Sequence, residues 1–131
     1  MPKYKYQIEF EIKAHPRLIY PYLSTPTGLK DWFADKARQI DEHHIEIEWD
    51  GEINILKITS KRTNTHIRFQ FESRKKDGQP AQYLDFKLDF NELTQSTFLR
   101  IIDFSDMNDE EELYNLWTHL IGKLKESIGA L

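Results

Sequence analysis

Residues 108–129 read NDEEELYNLWTHLIGKLKESIG and contain the clearest periodic pattern in the chain. The apolar side chains recur at spacings of three and four, which places them on one stripe of an α-helix. Asn108 is the predicted N-cap, and the side chain of Glu111, three residues later, could accept a hydrogen bond from the Asn108 backbone N–H. Gly129 is predicted to end the helix. We therefore predict a helix over residues 109–128. Its apolar stripe comprises Leu113, Leu116, Trp117, Leu120, Ile121, Leu124 and Ile128.

Such a stripe has to pack on another element, and most of the preceding chain alternates between apolar and polar side chains as half-buried strands do. Short connections between these segments predict antiparallel pairing, and Asp50-Gly51 is a strong hairpin signal. The predicted strands cover residues 3–13, 37–40, 45–49, 53–59, 66–73, 82–90 and 96–104.

One strand has an ambiguous pattern. Ile53 and Ile55 have the opposite parity from Leu56 and Ile58. Either both faces of this strand are partly covered, or the strand contains a bulge.

Two short helices are predicted after the first strand, over residues 17–23 and 26–33. Pro16 and Pro26 each suit a first helical position, and Thr25 suits the cap before the second helix. The fold class is therefore α+β, and we expect a single domain over residues 1–131.

Composition limits the classes of function. The 131 residues have a net charge of −4 with both signs interspersed, which argues against nucleic-acid binding. The densest basic run, Arg74-Lys75-Lys76, is predicted to form a hairpin tip. No apolar run approaches the roughly 20 residues that span a bilayer, so we expect no membrane insertion. Cysteine is absent and the N-terminus does not resemble a signal peptide, so we expect a cytoplasmic location.

No motif in the sequence predicts a cofactor or a metal. The five histidines have no spacing that would bring three or four ligands together. There is neither a glycine-rich phosphate loop nor a nucleophile elbow.

Several short segments together form a more specific pattern: Tyr22-Leu23-Ser24-Thr25-Pro26, Gly28-Leu29, Trp32-Phe33-Ala34-Asp35, Trp49-Asp50-Gly51, Ile67-Arg68-Phe69, Asp103-Phe104 and Leu116-Trp117. With the order of elements, they resemble the START-like, or SRPBCC, superfamily, which includes polyketide cyclases. The resemblance is to small bacterial members near the chaperone-ATPase-activator homologues. It implies a helix-grip fold, in which a curved antiparallel sheet of about six to seven strands surrounds a long C-terminal helix. It also implies a cavity between helix and sheet.

The residues that we expect at this cavity are mostly aromatic. An alternative is that the same side chains fill the interior completely. The candidate ligand-binding residues are Trp32, Phe33, Trp49, Phe69, Phe71, Phe86, Asp103, Trp117 and Leu120.

Asp103 is the polar member of this set. It shares parity with Leu99 and Ile101, so it should face the helix at the mouth of the pocket. It is the one weak catalytic candidate, as an acid or base, and it could also anchor a ligand. Alternatively, Asp103 hydrogen-bonds the backbone of the loop over residues 105–107.

The sequence thus favours a non-catalytic module that binds a small hydrophobic molecule. The alternatives are a protein-interaction or chaperone-helper module, and a cyclase- or hydrolase-type enzyme that uses Asp103. Exposed strand edges would also allow a homodimer.

Overall fold

The computed structural model describes residues 2–72, 78 and 80–130. One antiparallel sheet and three helices make up this part of the chain. In chain order the elements are β1 (Tyr4–Ile12), α1 (Pro16–Ser24), α2 (Pro26–Trp32), β2 (Lys36–Asp41), β3 (His44–Trp49), β4 (Glu52–Arg62), β5 (His66–Phe71), β6 (Tyr83–Asn91), β7 (Ser96–Ser105) and α3 (Glu110–Ile128).

The seven strands lie in the spatial order β1-β7-β6-β5-β4-β3-β2, and all neighbours are antiparallel. Each sequential pair from β2 to β7 is adjacent, and β1 joins the sheet beside β7. The predicted α+β order and the antiparallel pairing are confirmed. Within the described part of the chain, no helix combines the length and apolarity needed to cross a bilayer.

Helix α3 packs its apolar stripe on the inner face of the sheet. Leu113, Trp117, Leu120, Ile121 and Leu124 are buried, as the spacing predicted. The prediction of its N-cap was wrong by one residue. Asp109, not Asn108, caps the helix, because its carboxylate accepts a hydrogen bond from the Glu112 backbone N–H at 3.1 Å.

The C-terminal stop of α3 is confirmed. Gly129 has a φ of 83°, a left-handed conformation that glycine adopts without a Cβ clash. Its backbone N–H donates to the carbonyl oxygens of Lys125 and Glu126, which satisfies groups that the helix end would otherwise leave open.

The turn between β3 and β4 is also confirmed. Asp50 and Gly51 have φ angles of 54° and 81°, as a type I′ turn requires. Trp49 and Glu52 pair directly across it.

Strand β4 contains a bulge, but this bulge does not cause the change of parity seen in the sequence. Its register with β5 shifts between Ile58 and Ser60. The bulge lies beyond the two isoleucines of opposite parity, so Ile53 and Ile55 still point to the outer face. Asn54 and Leu56 take the inner positions and are buried.

The predicted basic hairpin tip, Arg74-Lys75-Lys76, lies outside the described residues.

The short helices α1 and α2 close one end of the sheet, and their backbones approach closely at Gly28. A Cβ atom at this position would lie 2.2 Å from the Pro21 carbonyl oxygen and 2.5 Å from the Tyr22 Cα. Both neighbours are backbone atoms, which cannot rotate away. Only glycine therefore allows this contact.

Gly28→Ala should lower the free energy of unfolding by at least about 2 kcal/mol, because the two helices would have to separate. Urea denaturation followed by tryptophan fluorescence measures this. Gly122→Ala is the matched control: it lies within α3, and a Cβ atom added there would meet no other atom within 4 Å. It should raise stability by about 0.5–1 kcal/mol. Equal effects of the two variants would contradict the close approach at Gly28.

Candidate functional site

A cavity of about 590 Å³ lies between the first half of α3 and the inner face of the sheet. Its walls come from the end of α2, the β3–β4 hairpin, the strands β5 to β7 and the loop before α3. The lining residues are Phe33, Trp49, Glu52, Phe71, Gln82, Leu84, Asp103, Ser105, Asp106, Met107, Glu112, Leu113, Leu116 and Trp117.

The structure divides the nine predicted site residues into two groups. The cavity is lined by Phe33, Trp49, Phe71, Asp103 and Trp117. The others, Trp32, Phe69, Phe86 and Leu120, lie in the packed core and do not line it. Trp32 shows the difference clearly, because its indole N–H donates to the Tyr22 carbonyl oxygen at 2.8 Å within the α1–α2 packing. Some aromatic side chains thus fill the core, whereas others form the wall of the cavity.

The aromatic wall is held together by ring contacts. The Phe33 ring lies 5.2 Å from the Trp49 ring and 6.2 Å from the Trp117 ring, stacked on the latter with an interplanar angle of 19°. Trp117 also contacts Phe86 edge-on at 6.0 Å. Pairs of this kind contribute about 0.5–1.5 kcal/mol beyond their buried area. The cavity wall is therefore continuous with the core.

Asp103 is a buried acidic group of the cavity, with 8% of its surface exposed. Strand alternation places it inward, in line with Leu99 and Ile101, and the register sets it opposite Leu84 and Tyr6. The Trp117 indole N–H donates to its Oδ2 at 3.1 Å. The inward position that the parity predicted is confirmed.

The loop after β7 is held by a hydrogen bond to the side chain of Ser105. The Met107 backbone N–H donates to the Ser105 hydroxyl at 3.3 Å. Through its bond to Trp117, the Asp103 carboxylate ties α3 to β7. The sequence did not predict this partner, and the bond that holds the loop comes from Ser105.

The charged side chains of the described lining are carboxylates. They belong to Glu52, Asp103, Asp106 and Glu112. Asp106 forms an ion pair with Lys3 at 2.7 Å. Close by on the same side of the sheet, burial raises the pKa of the Tyr6 hydroxyl, and the charge of Glu110 and the neighbouring Tyr114 raise it further.

Sequence reasoning missed most of the polar lining. Glu52 shares the inner parity of Asn54 and Leu56, so the alternation of β4 was the signal that could have found it. Ile53 and Ile55 obscured that signal because apolar side chains on the outer face looked like core. Gln82 precedes β6, and its buried amide had no pattern to mark it.

The site offers limited chemistry. Among the described lining residues, the polar groups are the carboxylates, the Ser105 hydroxyl, the Gln82 amide and the indole N–H groups of Trp49 and Trp117, and the other side chains are apolar. No three His, Asp or Glu side chains of residues 2–72, 78 and 80–130 lie close enough together to hold a metal ion. The arrangement suits binding of an apolar body with a few polar contacts.

A curved antiparallel sheet around a C-terminal helix, with a cavity between them, defines an α+β protein of the helix-grip class. The chain belongs to the START-like superfamily, because the model of the START-like superfamily domain matches residues 1–130. The resemblance stated from the sequence is therefore confirmed. No curated protein matches the chain.

Solved structures agree with this family. The chain is similar to a protein from Bacteroides fragilis solved by NMR, with 33% identity, coverage of 97% of this chain and 92% of that chain, and a TM-score of 0.66. The Aha1 dimer from Colwellia psychrerythraea shares the fold with 21% identity, coverage of 95% and 96%, and a TM-score of 0.77. CalU16 from Micromonospora echinospora shares it with 13% identity, coverage of 95% and 75%, and a TM-score of 0.71.

The bond between Trp117 and Asp103 can be tested by a double-mutant cycle. Trp117→Phe, Asp103→Ala and the double variant should show a coupling energy of about 1 kcal/mol in urea denaturation, because either single variant already removes the hydrogen bond that the double variant lacks. Trp32→Phe combined with Asp103→Ala is the control, since the Trp32 indole bonds the backbone of Tyr22. Additive effects of Trp117→Phe and Asp103→Ala would contradict the pairing.

Proposed function

We propose that this START-like protein binds a small hydrophobic molecule in the cavity between α3 and the sheet. The observation that carries the proposal is the cavity itself. Its volume of about 590 Å³ lies within the usual range for small-molecule sites of about 300–1,000 Å³. The ligand would contact Phe33, Trp49, Phe71 and Trp117.

The lining suggests the shape and polarity of the ligand. Aromatic rings on one wall and Leu84, Leu113 and Leu116 on the others favour a flat or branched apolar body. Carboxylates among the described lining favour a neutral or hydrogen-bond-donating polar group over an anionic one. Asp103 would accept from such a group, as a ligand anchor. Part of this proposal is that the protein acts in the cytoplasm and without a cofactor.

The expected affinity is moderate. Drug-sized ligands gain roughly 0.3 kcal/mol per non-hydrogen atom. A ligand of about 20 such atoms would therefore bind with a Kd in the tens of micromolar range.

N-phenyl-1-naphthylamine is a neutral aromatic probe whose fluorescence rises in apolar sites, and it should bind saturably. Leu116→Trp should weaken this binding at least about tenfold, because the larger side chain would occupy the cavity. Leu18→Trp is the matched control: Leu18 is an exposed residue of α1 outside the cavity lining. It should bind the probe as the parent chain does.

Circular dichroism checks that both variants keep their helix and strand content. The proposal fails if the parent chain shows no saturable fluorescence rise, or if a folded Leu116→Trp variant binds equally well.

A second candidate is a protein-interaction module, including a chaperone helper. The observations that favour it are exposed apolar side chains on α3 and just before it, Tyr114 and Met107, together with the shared fold of the Aha1 dimer. Strand β2 forms one edge of the sheet, which suits pairing with a second copy. Sedimentation velocity over a range of concentrations would detect a species of twice the 15.7 kDa chain mass. A single monomeric species at every concentration would remove the homodimer.

A third candidate, an enzyme of the cyclase or hydrolase type, would use Asp103 as acid or base. It requires Asp103→Asn to abolish a turnover of bound ligand while leaving binding and folding intact.

A further inference from the structure

The outer face of the sheet carries a row of basic side chains that the cavity does not involve. The register pairs Arg62 with His66, His66 with Lys87, and Lys87 with Arg100. These four residues therefore follow one another across β4, β5, β6 and β7. At about 4.8 Å between strands, the row spans about 14 Å.

Such a row is unfavourable for folding on its own, because like charges directly opposite each other in a sheet repel. The described part of the chain places no carboxylate within 4 Å of the basic nitrogen atoms of Arg62 or Lys87. Arg100 has a loose partner, since its Nη2 lies 3.8 Å from Glu9 Oε2. The bulge in β4 brings Arg62 to the outer face by inserting one residue before it.

The middle of the row borders a shallow groove of about 400 Å³. His66, Asp85, Lys87, Arg100 and Ile102 line it. Concavity distinguishes this position from an ordinary solvated sheet face, because a bound group would touch several side chains at once.

A buried carboxylate organises the floor of the groove. Asp85 Oδ1 lies 2.6 Å from His66 Nε2, and its Oδ2 accepts from Arg68 Nη2 at 2.7 Å and Nε at 3.0 Å. Arg68 in turn lies 4.3 Å above the Tyr83 ring. The charge of Asp85 is thus matched by Arg68, and His66 is fixed in orientation. Lys87 and Arg100 then leave the groove positive in a chain whose net charge is −4.

We propose that this groove binds the phosphate group of a small soluble compound, held by Lys87 and Arg100 with His66 beside them. A guanidinium presents paired donors that match phosphate oxygens, and an ammonium adds a point charge. Two cations on residues about 5 Å apart across neighbouring strands suit a multivalent oxyanion better than a single carboxylate. A membrane surface is a poor occupant, because an extended anionic bilayer would face the net negative charge of the whole chain, whereas a small phosphate compound would meet the positive groove alone.

Inorganic pyrophosphate is the probe for this site. Titration at pH 7 and constant ionic strength, followed by proton–nitrogen correlation NMR, should give saturable shifts around residues 66, 87 and 100. Lys87→Gln and Arg100→Gln should each weaken binding at least about tenfold. Lys57→Gln is the matched control, because Lys57 is an exposed cation of β4 that does not line the groove. It should leave the affinity unchanged.

Thermal unfolding gives a second readout, because Lys87→Gln should affect stability differently without and with pyrophosphate. Without pyrophosphate, Lys87→Gln should raise the Tm by about 1–3 °C, because it relieves repulsion in the row. With pyrophosphate, the parent chain should gain stability and Lys87→Gln should gain none.

Three results would overturn the site: shifts that grow linearly and spread equally to Lys57, an affinity unchanged in both Lys87→Gln and Arg100→Gln, or stabilisation reproduced by sodium chloride at the same ionic strength.

Discussion

The packing of α3 on the inner face of the sheet is the constraint on which the other features depend. Trp117 lies at its centre: its ring contacts Phe33 and Phe86, and its N–H reaches Asp103. The same side chain thus belongs to the core, to the cavity wall and to the link between α3 and β7. Beyond this point the inner positions of β7 change from Leu99 and Ile101 to Asp103 and Ser105. Polar side chains cannot be covered by a dry apolar stripe without partners, which is why close packing gives way to a cavity there.

The sequence predicted α3 and the strands well because these predictions depended on backbone periodicity. The spacing of three and four gave α3, and alternation placed Asp103 inward with Leu99 and Ile101. The errors were local. Asn108 and Asp109 both suit an N-cap, and only the geometry shows that the Asp109 carboxylate reaches the Glu112 N–H. Periodicity cannot choose between adjacent capping residues.

The division between core and cavity was not predictable from the same pattern. Phe69 and Phe71 have the same parity on one strand, yet Phe69 contacts Phe86 in the core while Phe71 lines the cavity. The difference depends on how far along the curved sheet the helix stays in contact, which is a tertiary property. The outer isoleucines Ile53 and Ile55 also made the inner face of β4 hard to predict, since apolar character alone does not identify that face.

Strands β6 and β7 separate two chemically different surfaces by the thickness of one sheet. Leu84 and Asp103 face the cavity, whereas Asp85 and Arg100 face the outer groove. A slip of one residue in either strand would exchange the two sets of side chains. The register is therefore under a double constraint, from the apolar stripe of α3 on one side and from the Asp85 contacts with His66 and Arg68 on the other. The Asp85 contacts join β5 to β6. At His66, the same part of β5 lies opposite Arg62, which the bulge of β4 places on the outer face. The basic row on the outer face therefore follows from the same register that forms the inner cavity.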